Sequence, residues 1–315
     1  TVGSDGKFWI TETTTRSVSN FSTSGARTSF LASADAQARG KTSAALASDA
    51  APLYITTGPD NAVWYTLFEG GVARMDTNGD VQQFSMPQNS KGFSYSAGDI
   101  AAAPDGSMWI TDRYDPVLLK LDPTTGNVTV INLPIILDLK PEADQNGRYL
   151  ANSIVAGPDG ALWFGAVPGA GEINSADYNA IGRISIDGIV TMYPINGTPR
   201  EIIKGKNNDL WFTQSIATGS STDGLILYGA IGNITTAGVV TEYKISNVDS
   251  RPTGLTIGPD DNIWFTEQKT QRVGKLEVSQ SSSPIPMYAA TIFSSTSTAN
   301  QSFLHRFDIL ERDRP

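Results

Sequence analysis

The chain contains no cysteine, so neither disulfides nor thiolate chemistry are open to it. It has one histidine, His305, which excludes a zinc site built on a histidine pair. Basic residues are few: 23 Lys+Arg stand against 32 Asp+Glu, a net charge of −9. That balance argues against nucleic acid or an anionic membrane surface as a partner. No apolar run approaches the roughly 18 residues that a membrane-spanning helix needs. Helical periodicity is scarce. No Gly-x-Ser-x-Gly elbow occurs, and the glycines mark turns rather than a phosphate loop, because no helix follows them.

What the chain does have is a repeat. One motif occurs six times: SDGKFWITE (4–12), PDNAVWYTL (59–67), PDGSMWITD (104–112), PDGALWFGA (158–166), NNDLWFTQ (207–214) and PDDNIWFTE (259–267). Each copy holds one of the six tryptophans: Trp9, Trp64, Trp109, Trp163, Trp211 and Trp264. Asp-Gly, Asp-Asn or Asn-Asp supplies a tight turn, and the alternating run after it reads as a strand. Apolar runs ending in Gly-Pro or Ala-Pro precede four of the copies (53–59, 99–104, 153–158, 254–259). Further strand-like runs follow, such as AIGRISIDG (180–188) and IVTMYPI (189–195). Four short strands per unit make an antiparallel meander, and radial repetition of meanders is a β-propeller.

No interval between tryptophans holds two blades of roughly 40 residues each, so the reading is an all-β, six-bladed β-propeller forming one domain over residues 1–315. Trp9 has only eight residues before it, so blade 1 lacks its inner strand at the N-terminus. Residues 284–293 are expected as the outer strand of blade 6, and residues 302–310 as the inner strand of blade 1, closing the ring. The tryptophans, one per blade at one strand position, are expected as wedges between blades. The chain starts at Thr1 without methionine and is Ser/Thr-rich and acidic, which suggests a secreted monomer. Sequons at Asn20, Asn127, Asn196, Asn233 and Asn300 permit glycosylation.

In a propeller, inner-strand starts and second-strand ends share one face. The long connections 31–52, 135–152, 166–179 and 214–229 map to it, which is where binding is expected. Three positions past each tryptophan stand Glu12, Leu67, Asp112, Ala166, Gln214 and Glu267. Eleven before stand Leu53, Gly98, Asn152, Arg200 and Thr253, followed by Asp99, Ser153 and Glu201. Together they predict an acidic, polar site for a small molecule or saccharide. Arg200, Asn152, Thr253, Gln214 and Asp99 are its binding residues. Glu12, Asp112 and Glu267 could hold a divalent cation, Mg or Ca, or act in acid–base chemistry.

The phrases IGRISIDGIVTMYPI, GPDDNIWFTEQ and RPTGLTIGPDD resemble the repeats of the virginiamycin B (streptogramin B) lyase family over nearly all of residues 53–279. The resemblance implies a propeller whose lyase members open a cyclic depsipeptide by elimination across an ester, using Mg²⁺, a His and a Glu. Glu267 matches the family glutamate at the end of its WFTE strand. The family histidine position is Thr253 here, and the family has seven blades against the six counted. His305, placed on the expected inner strand of blade 1, could pair with Glu12 instead. Three functions follow as expectations: a lyase cleaving C–O bonds in a cyclic ester or uronate-type substrate, a non-catalytic ligand- or glycan-binding propeller, and a metal-dependent lactonase.

Overall fold

The computed structural model describes residues 1–33, 51–68, 70–134, 148–169, 178–218 and 226–278, and the backbone of 290–294. Every regular element among them is a strand. None is a helix long and apolar enough to cross a membrane. The first sheet holds β1 (Phe8–Glu12), β2 (Ser17–Phe21) and β3 (Arg27–Leu31). The second holds β4 (Pro52–Thr57), β5 (Val63–Leu67), β6 (Val72–Met75) and β7 (Val81–Phe84). The third holds β8 (Ala97–Ala102), β9 (Met108–Asp112), β10 (Val117–Leu121) and β11 (Val128–Asn132). The fourth holds β12 (Tyr149–Ala156), β13 (Leu162–Pro168), β14 (Ala180–Ile184) and β15 (Val190–Pro194). The fifth holds β16 (Thr198–Lys204), β17 (Asp209–Thr218), β18 (Ile226–Thr235) and β19 (Val240–Val248). The sixth holds β20 (Pro252–Ile257), β21 (Ile263–Glu267), β22 (Arg272–Leu276) and β23 (Ala290–Ser294).

One meander per tryptophan repeat makes the fold class a six-bladed β-propeller. Contacts gather the chain into two compact units. The first is Thr1–Ala156, Gly160–Ile173 and Gly182–Met192; the second is Gly157–Asp159, Asn174–Ile181 and Tyr193–Pro315. In blade 1 the first residues run along the inner edge of β1: Val2 bridges to Phe8, and Thr1 and Trp9 exchange backbone hydrogen bonds (3.0 and 2.9 Å). Residues 302–310, expected as the inner strand there, lie outside the described residues. Of the outer strand expected over 284–293, residues 290–293 fall in β23, paired with β22, and 284–289 lie outside the described residues.

The repeated motif folds the same way each time. The residue three before the tryptophan takes a left-handed conformation in all six copies: Gly6 (φ 71), Asn61 (63), Gly106 (85), Gly160 (79), Asn208 (59) and Asp261 (64). Only Gly, Asn and Asp occupy this position, as left-handed geometry requires. The turn aspartate then closes onto the ring. Asp5, Asp60 and Asp260 Oδ1 accept the indole N–H of Trp9, Trp64 and Trp264 at 3.0, 2.9 and 2.9 Å. The indole lies flat over Gly3, Gly58 or Gly258, where an added Cβ would fall 2.2–2.6 Å from it. In blade 3 Ala103 stands in place of that glycine. There the indole N–H goes instead to Ser107 Oγ (3.0 Å), which donates on to Asp105 (2.5 Å).

Three of the tryptophans pack forward onto the next blade within their own unit. Trp9 shares a core cluster with Val63, Tyr65 and Leu67, and Trp64 one with Met108 and Ile110. In the second unit Trp211 packs with Leu255, Ile263 and Phe265. Trp9, Trp64, Trp109, Trp163 and Trp211 are buried, and Trp264 is half-buried. Trp9, Trp64 and Trp211 are wedges between blades, as one aromatic per blade at a fixed strand position predicts.

Candidate active site

The inner strand of each four-stranded blade is irregular at one place. Pairing with the tryptophan strand skips between Pro52 and Ile55, Ala97 and Ile100, Pro199 and Ile202, and Pro252 and Leu255. Two residues bulge out in each: Leu53-Tyr54, Gly98-Asp99, Arg200-Glu201 and Thr253-Gly254. A bulge frees a backbone N–H, which must find a partner. A threonine two past the tryptophan provides it. Thr66, Thr111, Thr213 and Thr266 Oγ1 accept from the N–H of Tyr54 (3.3 Å), Asp99 (2.8 Å), Glu201 (3.2 Å) and Gly254 (2.8 Å). Blade 4 has Gly165 at that position. Without the hydroxyl, Ser153 stays in register opposite Gly165 and only Asn152 is displaced.

In the first unit, Asp99 is the most constrained of these residues. Its Oδ1 accepts from Ile100 N (2.8 Å) and its Oδ2 from Ile154 N (3.0 Å), tying β8 to β12. Burial pushes its carboxyl up to about 6, although the two backbone donors pull the other way. The phenol of Tyr54 is raised by burial and by the charge of Asp99, with Arg113 acting against both. The stem of Arg113 crosses Gly98, where an added Cβ would lie 3.4 Å from Arg113 Cγ. Its guanidinium sits over the rings of Phe68 (4.9 Å) and Tyr114 (5.4 Å), and Nη1 donates to Phe68 O (3.3 Å). Tyr54, Phe68 and Tyr114 are exposed. Tyr54 is thus coupled to both Asp99 and Arg113, and the Arg113 stem passes the neighbouring Gly98.

The residues three past tryptophan are anchored within the fold. Glu12 Oε2 accepts from Thr15 (3.2 Å), Ser17 (3.0 Å), Ser19 (3.1 Å) and Arg27 (2.6 Å). Burial works against its charge, but these hydroxyls and the guanidinium hold its carboxyl below the usual range. Asp112 is fully buried and accepts from the N–H groups of Ser96 (2.6 Å), Tyr114 (2.9 Å) and Asp115 (2.6 Å). In the second unit, Gln214 Oε1 accepts from Gly197 N (3.1 Å) and Nε2 donates to Glu242 (2.8 Å). Buried Glu267 accepts from Asn247 Nδ2 (3.2 Å) and Thr270 Oγ1 (2.5 Å). Glu12, Asp112 and Glu267 hold the turn after their strand, whereas Gln214, expected at a strand end, lies inside the longer β17 and ties it to Gly197 and to Glu242 of β19.

Of the expected binding residues, Arg200 is exposed, Asn152 Oδ1 accepts from Ser153 Oγ (3.5 Å), and Thr253 Oγ1 lies 3.2 Å from Thr266 Oγ1. His305 lies outside the described residues, as do 34–50, 135–147, 170–177 and 219–225 in the four long connections. A divalent cation does not suit the carboxylates expected to hold one. Among the described residues no three His, Cys, Asp or Glu side chains are grouped to bind a metal. Glu12 already faces a guanidinium, and Asp112 faces three N–H groups; both environments repel a cation. The alignment of repeats on tryptophan did not single out Arg113 or Phe68. Both stand four past a tryptophan, so a column one position further along would have shown them.

Sequence and structure comparisons agree. The model of the virginiamycin B lyase family matches residues 1–217 and 142–302. Selenomethionine-substituted virginiamycin B lyase from Staphylococcus aureus is similar at 23% identity, covering 89% of this chain and 79% of that one, with a TM-score of 0.64. A catalytically inactive histidine-to-alanine variant of the S. aureus lyase, solved with quinupristin, is similar at 24% identity, covering 98% and 83%, with a TM-score of 0.66. No curated protein sequence matches. With nearly the whole length matched by the family pattern and the blades built as described, the chain belongs to the virginiamycin B lyase family.

Proposed function

We propose that this protein is a C–O lyase that opens a cyclic ester by elimination. The observation that carries the reading is the recurrent bulge. It takes polar inner-strand residues out of sheet pairing and presents them from a rigid scaffold, as sites of chemistry require. Family membership supplies the reaction class. Elimination next to a carbonyl needs a base and a donor for the developing oxyanion, and the bulges and their flanks offer carboxylates and guanidinium groups for both. No step is routed through a metal, because the described carboxylates do not fit one.

The test is incubation of the purified chain with quinupristin, the ligand in the related lyase structure. Elimination opens the ring without changing the mass and creates a conjugated double bond that absorbs in the ultraviolet. Hydrolysis adds one water and no double bond; that result would favour a lactonase. Binding without conversion would favour a non-catalytic ligand-binding propeller. Thr253, at the place where the family resemblance puts a histidine, speaks for that second reading.

A further inference from the structure

Elimination needs a proton acceptor, and Thr253 cannot be one. We propose that Asp99 is the general base of this protein, with Arg113 binding the developing enolate and Tyr54 positioning the substrate. The inference rests on the elimination reading and deepens it. Both Asp99 oxygens are fixed by backbone N–H groups, so the carboxylate cannot swing away, and each oxygen keeps a lone pair free. The Asp99 N–H is fixed by Thr111, and the Arg113 stem runs over the neighbouring Gly98. Among the described residues the Arg113 guanidinium donates once, to Phe68 O, which leaves its other N–H groups for a carbonyl oxygen. Phe68 and Tyr114 flank that guanidinium with exposed rings, which suits an aromatic or apolar group beside the reacting carbon. The substrate class is therefore a β-acyloxy carbonyl compound carrying such a group.

The step balances without any co-reactant. Asp99 takes the proton from the carbon α to the carbonyl. The C–H electron pair becomes the C=C bond. The bond from the β-carbon to the ester oxygen breaks, and its pair leaves on the carboxylate. Arg113 donates to the carbonyl oxygen on which charge accumulates, and Asp99 passes its proton to water. Burial that raises the basicity of Asp99 toward neutrality favours this role.

The test uses the full chain with two probes: quinupristin and N,O-diacetylserine methyl ester, a small β-acyloxy carbonyl compound. Asp99→Asn should lower kcat by at least ~100-fold with little change in KM, the usual share of a positioned base. Arg113→Ala, at a half-buried position outside the core, should fold normally and lower kcat by ~100-fold, the typical cost of one oxyanion donor. It also serves if Asp99→Asn fails to fold. Wild-type kcat in both variants, with loss confined to Glu12→Gln or Glu267→Gln, would overturn the proposal while leaving the elimination reading intact. If quinupristin is inert, deuterium exchange at the α-carbon of the serine ester in heavy water decides. Exchange that vanishes in Asp99→Asn upholds Asp99 and sinks the cyclic-ester reading. No exchange above the buffer rate sinks both.

Discussion

At the scale of single residues, one aspartate per motif serves both turn and core. Asp60 closes the turn, accepts from the Trp64 indole and pairs with Arg74. Asp60→Ala should therefore destabilise the protein by about 1–3 kcal/mol in urea unfolding, because it strands a buried indole N–H. Asp99 has the opposite character. Its folded-state carboxyl is raised, so its contribution to stability is present below pH ~4, near the ordinary aspartate value, and is lost as pH rises through about 6. Tyr54 from β4 and Arg113 after β9 are the ionisable groups coupled at this place; β12 contributes the Ile154 N–H. Asp99→Asn should thus be relatively more stable than wild type at pH 7 than at pH 4, measured as the difference in unfolding midpoint. The sequons also separate at this scale. Asn20 is buried, Asn233 donates to Asp209, and Asn196 donates to Glu242, whereas Asn127 is exposed. Secretion from a eukaryotic host should attach a glycan at Asn127, and Asn127→Gln should remove that mass shift.

Among elements, the inner strand carries the design. Thr111→Val should leave the Asp99 N–H unpaired and cost about 1–3 kcal/mol. It should also lower turnover by disturbing Asp99, while Thr266→Val, on a blade whose bulge ends in glycine, should cost stability alone. The meanders, turns and tryptophan wedges were legible in the sequence because turn chemistry and strand alternation are local signals that repeat. The bulges were not. They arise from the pairing of two strands, and the only trace is a threonine that looks like any strand residue. The columns of the expected site were legible, and the environments of its residues were not. Glu12, Asp112 and Glu267 stand at strand ends, where the following turn releases donors that these residues satisfy; Gln214 lies inside β17, which runs on to Thr218. Asp99 stood out in the sequence as an inner-strand position. Its raised basicity depends on burial between β8 and β12, which no single-strand pattern reveals.

Over the whole molecule, acidity and burial set the response to pH. Asp5, Glu12, Asp60, Asp76 and Asp105 are all held below the usual carboxylate range by hydrogen bonds that outweigh burial together, and Asp260 is held down to about 2 by Asn262 and Trp264. Groups of this kind stabilise the fold above pH ~4 and lose that contribution as pH falls through their folded values. The melting temperature should therefore drop steadily between pH 4.5 and pH 2, as read by circular dichroism, and high salt should not restore it fully. The bulges have one more consequence at this scale. Residues excused from the ladder can change without shifting the register of any strand, and this chain has already sampled Leu53, Gly98, Asn152, Arg200 and Thr253 at one such place. Each blade is thus a separately mutable cartridge on a conserved frame. New specificities can be selected from libraries confined to Leu53, Asn152, Arg200 and Thr253, whereas Gly98 must stay glycine because an added Cβ would fall 2.5 Å from Thr111 Oγ1.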